Sequence, residues 1–486
     1  MSTIPPPEQL APTSPFNLPE IIVQLGPYLK GSSLTAVLLL NKQWNSTLTP
    51  ALWVYSHFPT DWTFFRSPTQ FPSLDSVRKN RHHIRTLVCD EYSPLVKALL
   101  DPNPDYKPCK ILHLDLMILS SRLVPLIHNN ASTLLSLIRR PSVHQADRNI
   151  PQEWSFFKVI AGNKRLQNLS LANIMLGTSL TMDPFFLETC AQISSLSLTQ
   201  CIWTVPAIDS TVRTRRYPSF PAIRHLDLIK TKDVSPFAEI EFLCSCPNLE
   251  ELQWRPRAQF QESQYPRIQY LLSQLRHLTT LNLNLASLTD TDIAIIIRPL
   301  PALVNLFADE SRFGRAAAAA ILDSNTQLQR LEIRDCANLW GSTSCQLMSV
   351  CKDLVEIAHD IVQVRSITDH CDQYPWECRK LKKLDISLVS QFEHNPTRIE
   401  EHAKMYEQLS RLTQLEELTI GNSVRVVPRS KDSLELTMAM GFGTLRTLTK
   451  VRRFVVGRQY AGLDDDVRVW IKENWKEAHV ECAFDR

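Results

Sequence analysis

The side chains best suited to chemistry are His82 and His83, His402 beside Glu400 and Glu401, the adjacent acids Glu250 and Glu251, and the close thiols Cys244 and Cys246. An imidazole beside carboxylates is what a general base needs, neighbouring acids suit acid–base work, and clustered thiols suit zinc. None of them comes with the rest of its machinery. The chain has no G-x-S-x-G elbow, no G-x-x-x-x-G-K phosphate loop, no G-x-G-x-x-G turn, no H-E-x-x-H helix and no C-x-x-C pair. With 11 glycines in 486 residues, a phosphate-cradling loop is hard to build. The expectation is a non-enzyme with no catalytic residue, no cofactor and no metal site, its histidines solvated.

Charge narrows the partners. Lys+Arg of 53 against Asp+Glu of 50 leaves +3, too near neutrality to drive binding to a polyanion, so no nucleic acid is expected. The basic runs Arg78, Lys79, Arg81 and Arg213, Arg215, Arg216 lack interleaved aromatics and read as solvated loops. The stretch IAIIIRPLPALVNLF is broken by Arg298, Pro299 and Pro301, so no membrane span is expected. Residues 1–15 have neither an apolar run nor a basic leader and read as a disordered start. That implies a cytoplasmic or nuclear protein whose 12 cysteines are thiols.

What positions these side chains is a repeat. The hexad L-x-x-L-x-L, with other apolar residues allowed, begins at Ile84, Cys109, Leu134, Leu166, Ile193, Ile223, Leu249, Leu278, Leu303, Leu328, Leu354, Leu381, Leu415 and Val451. Most steps are 25 to 32 residues, which is leucine-rich-repeat spacing. The three anchors place two strand residues, and one before them, on the same buried side while the residues between face outward. Leu328, Leu331, Ile333 and Leu415, Leu418, Ile420 show the spelling clearly. Between hexads lie helical patterns such as Ile293, Ile296, Ile297, opened by a capping box at Thr289 and Asp292. One strand and one helix cannot bury their own apolar faces, so stacking on neighbours must supply the core.

Six cysteines keep the same phase. Cys190, Cys246, Cys351 and Cys378 stand three residues before an anchor, and Cys201 and Cys336 eight after one, where a leucine-rich repeat commonly places Asn or Cys against neighbouring backbone. They read as small buried thiols. The unit at Leu134 is irregular because Arg139 falls on an anchor. The stretch after it, and the longer steps before Leu415 and Val451, read as inserted loops. At the end, Asp464, Asp465 and Asp466 precede Val467, Trp470, Ile471 and Trp475 at helical spacing, and Val480, Cys482 and Phe484 alternate as a strand. This reads as a cap on the last repeat, with a tryptophan-bearing docking helix as the alternative.

Ahead of the repeats, residues 16–53 pack three short apolar helical patterns into few residues. Their apolar surface must be covered by a partner or by the following repeats. The segment resembles an F-box: Leu18 and Pro19 open the first helix, Ile22, Leu25 and Leu29 form its stripe, Leu34 starts the second, and Leu40 and Trp44 make the next apolar step before Leu52 and Trp53. F-box/leucine-rich-repeat proteins share this order, and the ending LDDDVRVWIKENW is similar to that of fungal F-box proteins. The resemblance implies that Leu18, Pro19, Ile22, Leu25, Leu29, Leu34, Leu40 and Trp44 bind a Skp-type adaptor, and through it a cullin.

The expected architecture is α/β: a leader at 1–15, an F-box-like module at 16–56, a linker at 57–80, an irregular leucine-rich-repeat solenoid with a curved parallel sheet and outer helices at 81–462, and a cap at 463–486. The resemblance implies a substrate receptor of an SCF-type ubiquitin ligase, its repeats holding a protein target through residues such as Arg334, Asp335, Trp254 and Arg255. The alternative is a leucine-rich-repeat scaffold outside the ubiquitin system.

Overall fold

The computed structural model describes residues 48–49, 55–57, 73–89, 94–117, 122–140, 154–176, 182–203, 217–232, 234, 236–257, 259–336, 341–389, 398–421, 434–457 and 463–482. The chain divides into two compact units, Met1–Thr178 with Met182–Leu196, and Ser179–Thr181 with Ser197–Arg486.

In the first unit, β1 (Tyr55–His57), β2 (Thr86–Cys89), β3 (His113–Leu116), β4 (Ser136–Arg139) and β5 (Asn168–Ala172) pair in parallel and in chain order. Helices α1 (Leu74–Asn80), α2 (Pro94–Leu99), α3 (Val124–Asn129), α4 (Trp154–Ala161) and α5 (Pro184–Cys190) alternate with them. Leu87, Leu114, Leu137 and Leu169 stand opposite one another across the ladder, all buried. The ladder takes in Tyr55–His57, well ahead of position 81, and α1 occupies the stretch just before it.

The register corrects one anchor. Leu87 pairs with Leu114 and Cys89 with Leu116, so the counterpart of Ile84 is Ile111, which is fully buried, and not the partly exposed Cys109. Both CKILHL and ILHLDL satisfy the hexad spelling. Only pairing with the neighbouring strand chooses between frames two residues apart. Arg139 does occupy an anchor: it is buried, and its Nη1 donates to the Asn173 carbonyl at 3.0 Å, which gives the polar head a backbone partner inside the unit.

In the second unit the parallel ladder runs through β7 (His225–Ile229), β8 (Glu251–Arg255), β9 (Thr280–Asn282), β10 (Asn305–Phe307), β11 (Arg330–Ile333), β12 (Glu356–Gln363), β13 (Lys383–Val389), β14 (Glu417–Ile420), β15 (Arg453–Val456) and β16 (His479–Cys482). The strand between, β6 (Ser195–Thr199), lies at the division. The helices of this unit are α6 (Pro236–Leu243), α7 (Tyr265–Leu272), α8 (Asp290–Ile297), α9 (Arg315–Ser324), α10 (Gly341–Val350), α11 (Val364–Thr368), α12 (Arg398–Ser410) and α13 (Asp465–Asn474). Leu226, Leu252, Leu281, Leu306, Leu331, Ile357, Leu384, Leu418 and Phe454 form one buried column. Each such side chain contributes roughly 1.5–3 kcal/mol through burial. This is the stacked leucine-rich-repeat core that the hexads predict.

Every strand must then turn away from the sheet. Asn173, Gln200, Lys230, Leu285, Glu310 and Asp335, each seven residues after an anchor, adopt positive φ between 52° and 61°. Left-handed backbone costs a non-glycine residue about 1–2 kcal/mol, so flanking packing must hold these turns in place. The next residue points back inward at Cys201 and is tied to backbone at Cys336, whose Sγ donates to the Ala308 carbonyl at 3.2 Å. Cys246, Cys351 and Cys378 are fully buried, and burial pushes their thiols up to about 12. Such thiols are inert packing groups at neutral pH.

Adjacent coils also cap each other. Gly314, at the N-cap of α9, has no side chain to offer. Asp290 of α8 supplies one: Oδ1 accepts from the amides of Gly314 and Ala317 at 2.9 Å each, and Oδ2 from Ala316 at 2.8 Å. A carboxylate on three orphan amides at the positive end of a helix is a strong cap. Asp290→Ala should therefore lower stability by roughly 2 kcal/mol, read from the denaturant midpoint at constant slope. A loss below a few tenths would show that water replaces the carboxylate.

At the far end, Val467, Ile471 and Trp475 of the α13 region are buried, and Trp470 and Trp475 meet at 5.4 Å. Both rings face Phe442, at 5.2 and 6.0 Å. The tryptophans pack onto their own coil, with β16 pairing beyond β15.

Candidate functional site

Alternation along each strand leaves one file of side chains facing away from the core. In the second unit its first rung carries His225, Glu251, Thr280, Asn305, Arg330, Glu356, Lys383, Glu417 and Arg453, in register. Along it Arg330 pairs with Glu356 at 3.1 Å, Lys383 with Glu417 at 3.6 Å and Arg453 with Glu417 at 3.7 Å, and His225 Nδ1 lies 3.1 Å from Glu251. Exposed pairs of this kind are worth about 0–1 kcal/mol each, and they leave the face polar and open to exchange partners.

The densest part of the file is built on β10 to β13. Arg334 reaches Asp385 at 3.0 Å, Glu332 at 3.3 Å and Asp309 at 3.4 Å, while Arg330 holds Glu332 at 2.6 Å and lies over the Phe307 ring at 4.9 Å. Ala358 stands in register between Glu332 and Asp385, and its methyl leaves room for the guanidinium of Arg334 to cross a whole strand. Burial pushes the Asp309 and Asp385 carboxyls up from the ordinary range, and Arg334 pulls both back. Asp309, Glu332, Glu356 and Asp385 against Arg330, Arg334 and Lys383 leave this patch with one acid in excess. Its charge and its aromatic ring make it suited to a protein surface with complementary basic groups.

The structure redistributes several side chains that the sequence marks as solvated or outward. Trp254 is fully buried, packs on Phe260 at 5.8 Å and donates from Nε1 to Glu239 at 2.7 Å, because it sits on an anchor. His402 is buried on the inner side of α12. His82 and His83 contact at 3.9 Å and are half-buried, and burial pushes both imidazoles below their ordinary range. Arg81 is 5% exposed and lies beneath the chain, whereas Arg78 pairs with Asp75 and Asp101 at 2.7 and 2.8 Å. Arg334 and Arg255 keep outward places, and Asp335 forms the left-handed turn. Arg213, Arg215 and Arg216 lie outside the described residues, as do Leu18, Pro19, Ile22, Leu25, Leu29, Leu34, Leu40 and Trp44.

One pairing has no signature in the linear sequence. Ser344 Oγ lies 2.6 Å from His359 Nε2, the contact a nucleophile makes with its base. Both residues are at most 5% exposed, and His359 occupies an inward anchor. The pair ties α10 to β12 as a buried polar contact. Among the described residues, no three His, Cys, Asp or Glu side chains gather as metal ligands, and no helix is long and apolar enough to cross a membrane.

No family model matches this chain, and no curated protein does. Among solved structures it is similar to an internalin from Listeria monocytogenes, at 14% identity over 84% of this chain and 88% of that one, with a TM-score of 0.38. It is also similar to TLR13 in a complex with ssRNA13, at 13% identity over 82% of this chain and 57% of that one, with a TM-score of 0.44. Both are leucine-rich-repeat proteins.

Proposed function

We propose that the chain is the substrate-recognition subunit of an SCF-type cullin-RING ubiquitin ligase, in which residues 16–53 bind a Skp-type adaptor and the outward strand file binds a protein target. The observation that carries this reading is the order of parts: an F-box-like run from Leu18 to Trp44, followed by a leucine-rich-repeat ladder whose outward residues form a polar, acid-rich face. The mechanism is proximity. Holding the target near a charged conjugating enzyme raises the effective concentration of its lysines, and the receptor itself makes and breaks no bond.

A pull-down of the full chain with a fungal Skp-type adaptor tests it. Leu18→Ala combined with Pro19→Ala should reduce recovered adaptor at least tenfold while leaving the thermal unfolding of the repeats unchanged. Equal recovery with wild type, or no adaptor bound by a well-folded wild-type chain, points instead to a leucine-rich-repeat scaffold outside the ubiquitin system.

A further inference from the structure

Away from the strand file, on the helix side of the second unit, Arg315, Ser342, Thr343, Gln346, His370 and Tyr374 line a recess of about 480 Å³. Its floor is the first turn of α10, a helix of 10 residues. The preceding coil shows what such a helix start needs here. Asp290, the first residue of α8, caps the amides that open α9. Its counterpart one coil later, again the first residue of its helix and 25 positions on, is Arg315. The repeat therefore sets a guanidinium beside the first turn of α10 where the previous coil sets a carboxylate. Two sources of positive potential face each other with no acid in the lining.

The polar groups around the recess are idle. Thr343 as a residue is 6% exposed, and its hydroxyl, which lines the recess, has no hydrogen-bond partner among the described residues. Among the described residues the Tyr374 hydroxyl has none either, and no acid lies within ion-pair distance of Arg315. The His370 Nδ1 is engaged by the Ser366 carbonyl at 2.9 Å, which leaves Nε2 as its free nitrogen. A guanidinium, unused hydroxyls, an imidazole and a helix start converging on one space are the donors a tetrahedral oxyanion takes up.

We propose that this recess binds a phosphate monoester, which does for α10 what Asp290 does for α9. The volume exceeds what phosphate alone fills, so the phosphoryl group arrives on a side chain or a small molecule. The recess shares no residue with the strand file, and its test needs neither an adaptor nor a target.

Calorimetric titration of the full chain with inorganic phosphate, O-phosphoserine, and a phosphoserine peptide beside its unphosphorylated twin tests the proposal. Saturable binding of the phosphorylated probes is expected, with no heat from the twin. Arg315→Gln should weaken binding at least tenfold and Thr343→Val at least threefold, both with unchanged far-ultraviolet circular dichroism. Because valine replaces an unpartnered hydroxyl, Thr343→Val should melt no lower than wild type without ligand, which separates a binding role from a structural one. A peptide bound more than tenfold tighter than O-phosphoserine identifies a phosphoprotein as the source, and comparable affinities identify a small phosphate ester. Absence of saturable binding, or dissociation constants within twofold of wild type in both variants, overturns the proposal.

Discussion

Arg81→Met should destabilise the first unit by roughly 4 kcal/mol, near the upper end of what a single substitution does. The residue sits in the turn after α1, and its guanidinium is spent on carbonyls. Nε donates to Lys107 at 2.9 Å, Nη1 to Asp101 at 2.7 Å and Leu99 at 3.1 Å with a longer contact to Ala98, and Nη2 to Tyr106 at 3.1 Å. These carbonyls belong to the end of α2 and to the loop that leads into β3. Methionine fills the same volume but leaves them facing apolar surface, and the loop must open to hydrate them. Arg81→Lys keeps the charge yet lacks the planar fork, and should restore less than half of the loss. Denaturant unfolding measures the total. Native-state amide exchange should locate it, with protection falling first at Asn103 to Leu112. A loss under 1 kcal/mol in the methionine variant would show that the fork is dispensable.

The second large effect depends on pH. Glu239 is 2% exposed on α6 and accepts hydrogen bonds from Thr231 Oγ1 and from Trp254 Nε1, the latter at 2.7 Å. Burial pushes its carboxyl up to about 7 from 4.5, although both bonds favour the ionised form. The folded state thus holds a proton that the unfolded chain releases. Between those two values unfolding sheds a proton, so stability from this group is complete below the unfolded value and declines as pH rises through about 7. Going from pH 5 to pH 8 should cost the wild type roughly 2–3 kcal/mol through this group alone. In Glu239→Gln that part of the slope vanishes, because an amide with its oxygen on Trp254 and its nitrogen on Thr231 keeps the contacts without a charge. The variant should equal or exceed the wild type at pH 8. Parallel stability curves for the two proteins across that range would place the ionisation elsewhere.

Much of this was legible in the chain. The hexads at Leu328, Leu381 and Leu415 name their buried residues, and the Thr289–Asp292 box marks the start of α8. The six phased cysteines follow from the same period. The misplaced anchor at Cys109 shows the limit, since two frames spelled equally well and β2 alone selected Ile111. The buried roles of Arg81 and His402 were likewise out of reach, because each depends on what lies across the coil, whereas Trp254 stands at the sixth position of the Leu249 hexad and its burial follows from the period.

The sequence by itself determined the period, the alternation that separates core from surface, and the lack of a linear catalytic motif. These are local: a residue's side of a strand depends only on its distance from the next anchor. Tertiary structure decided partners. Arg81 finds carbonyls 17 to 26 residues away, Arg334 finds Asp385 51 residues away, and Arg315 meets the start of the following helix. Such meetings follow from the stacking distance between coils and the reach of long polar side chains. No spacing rule within one coil encodes either.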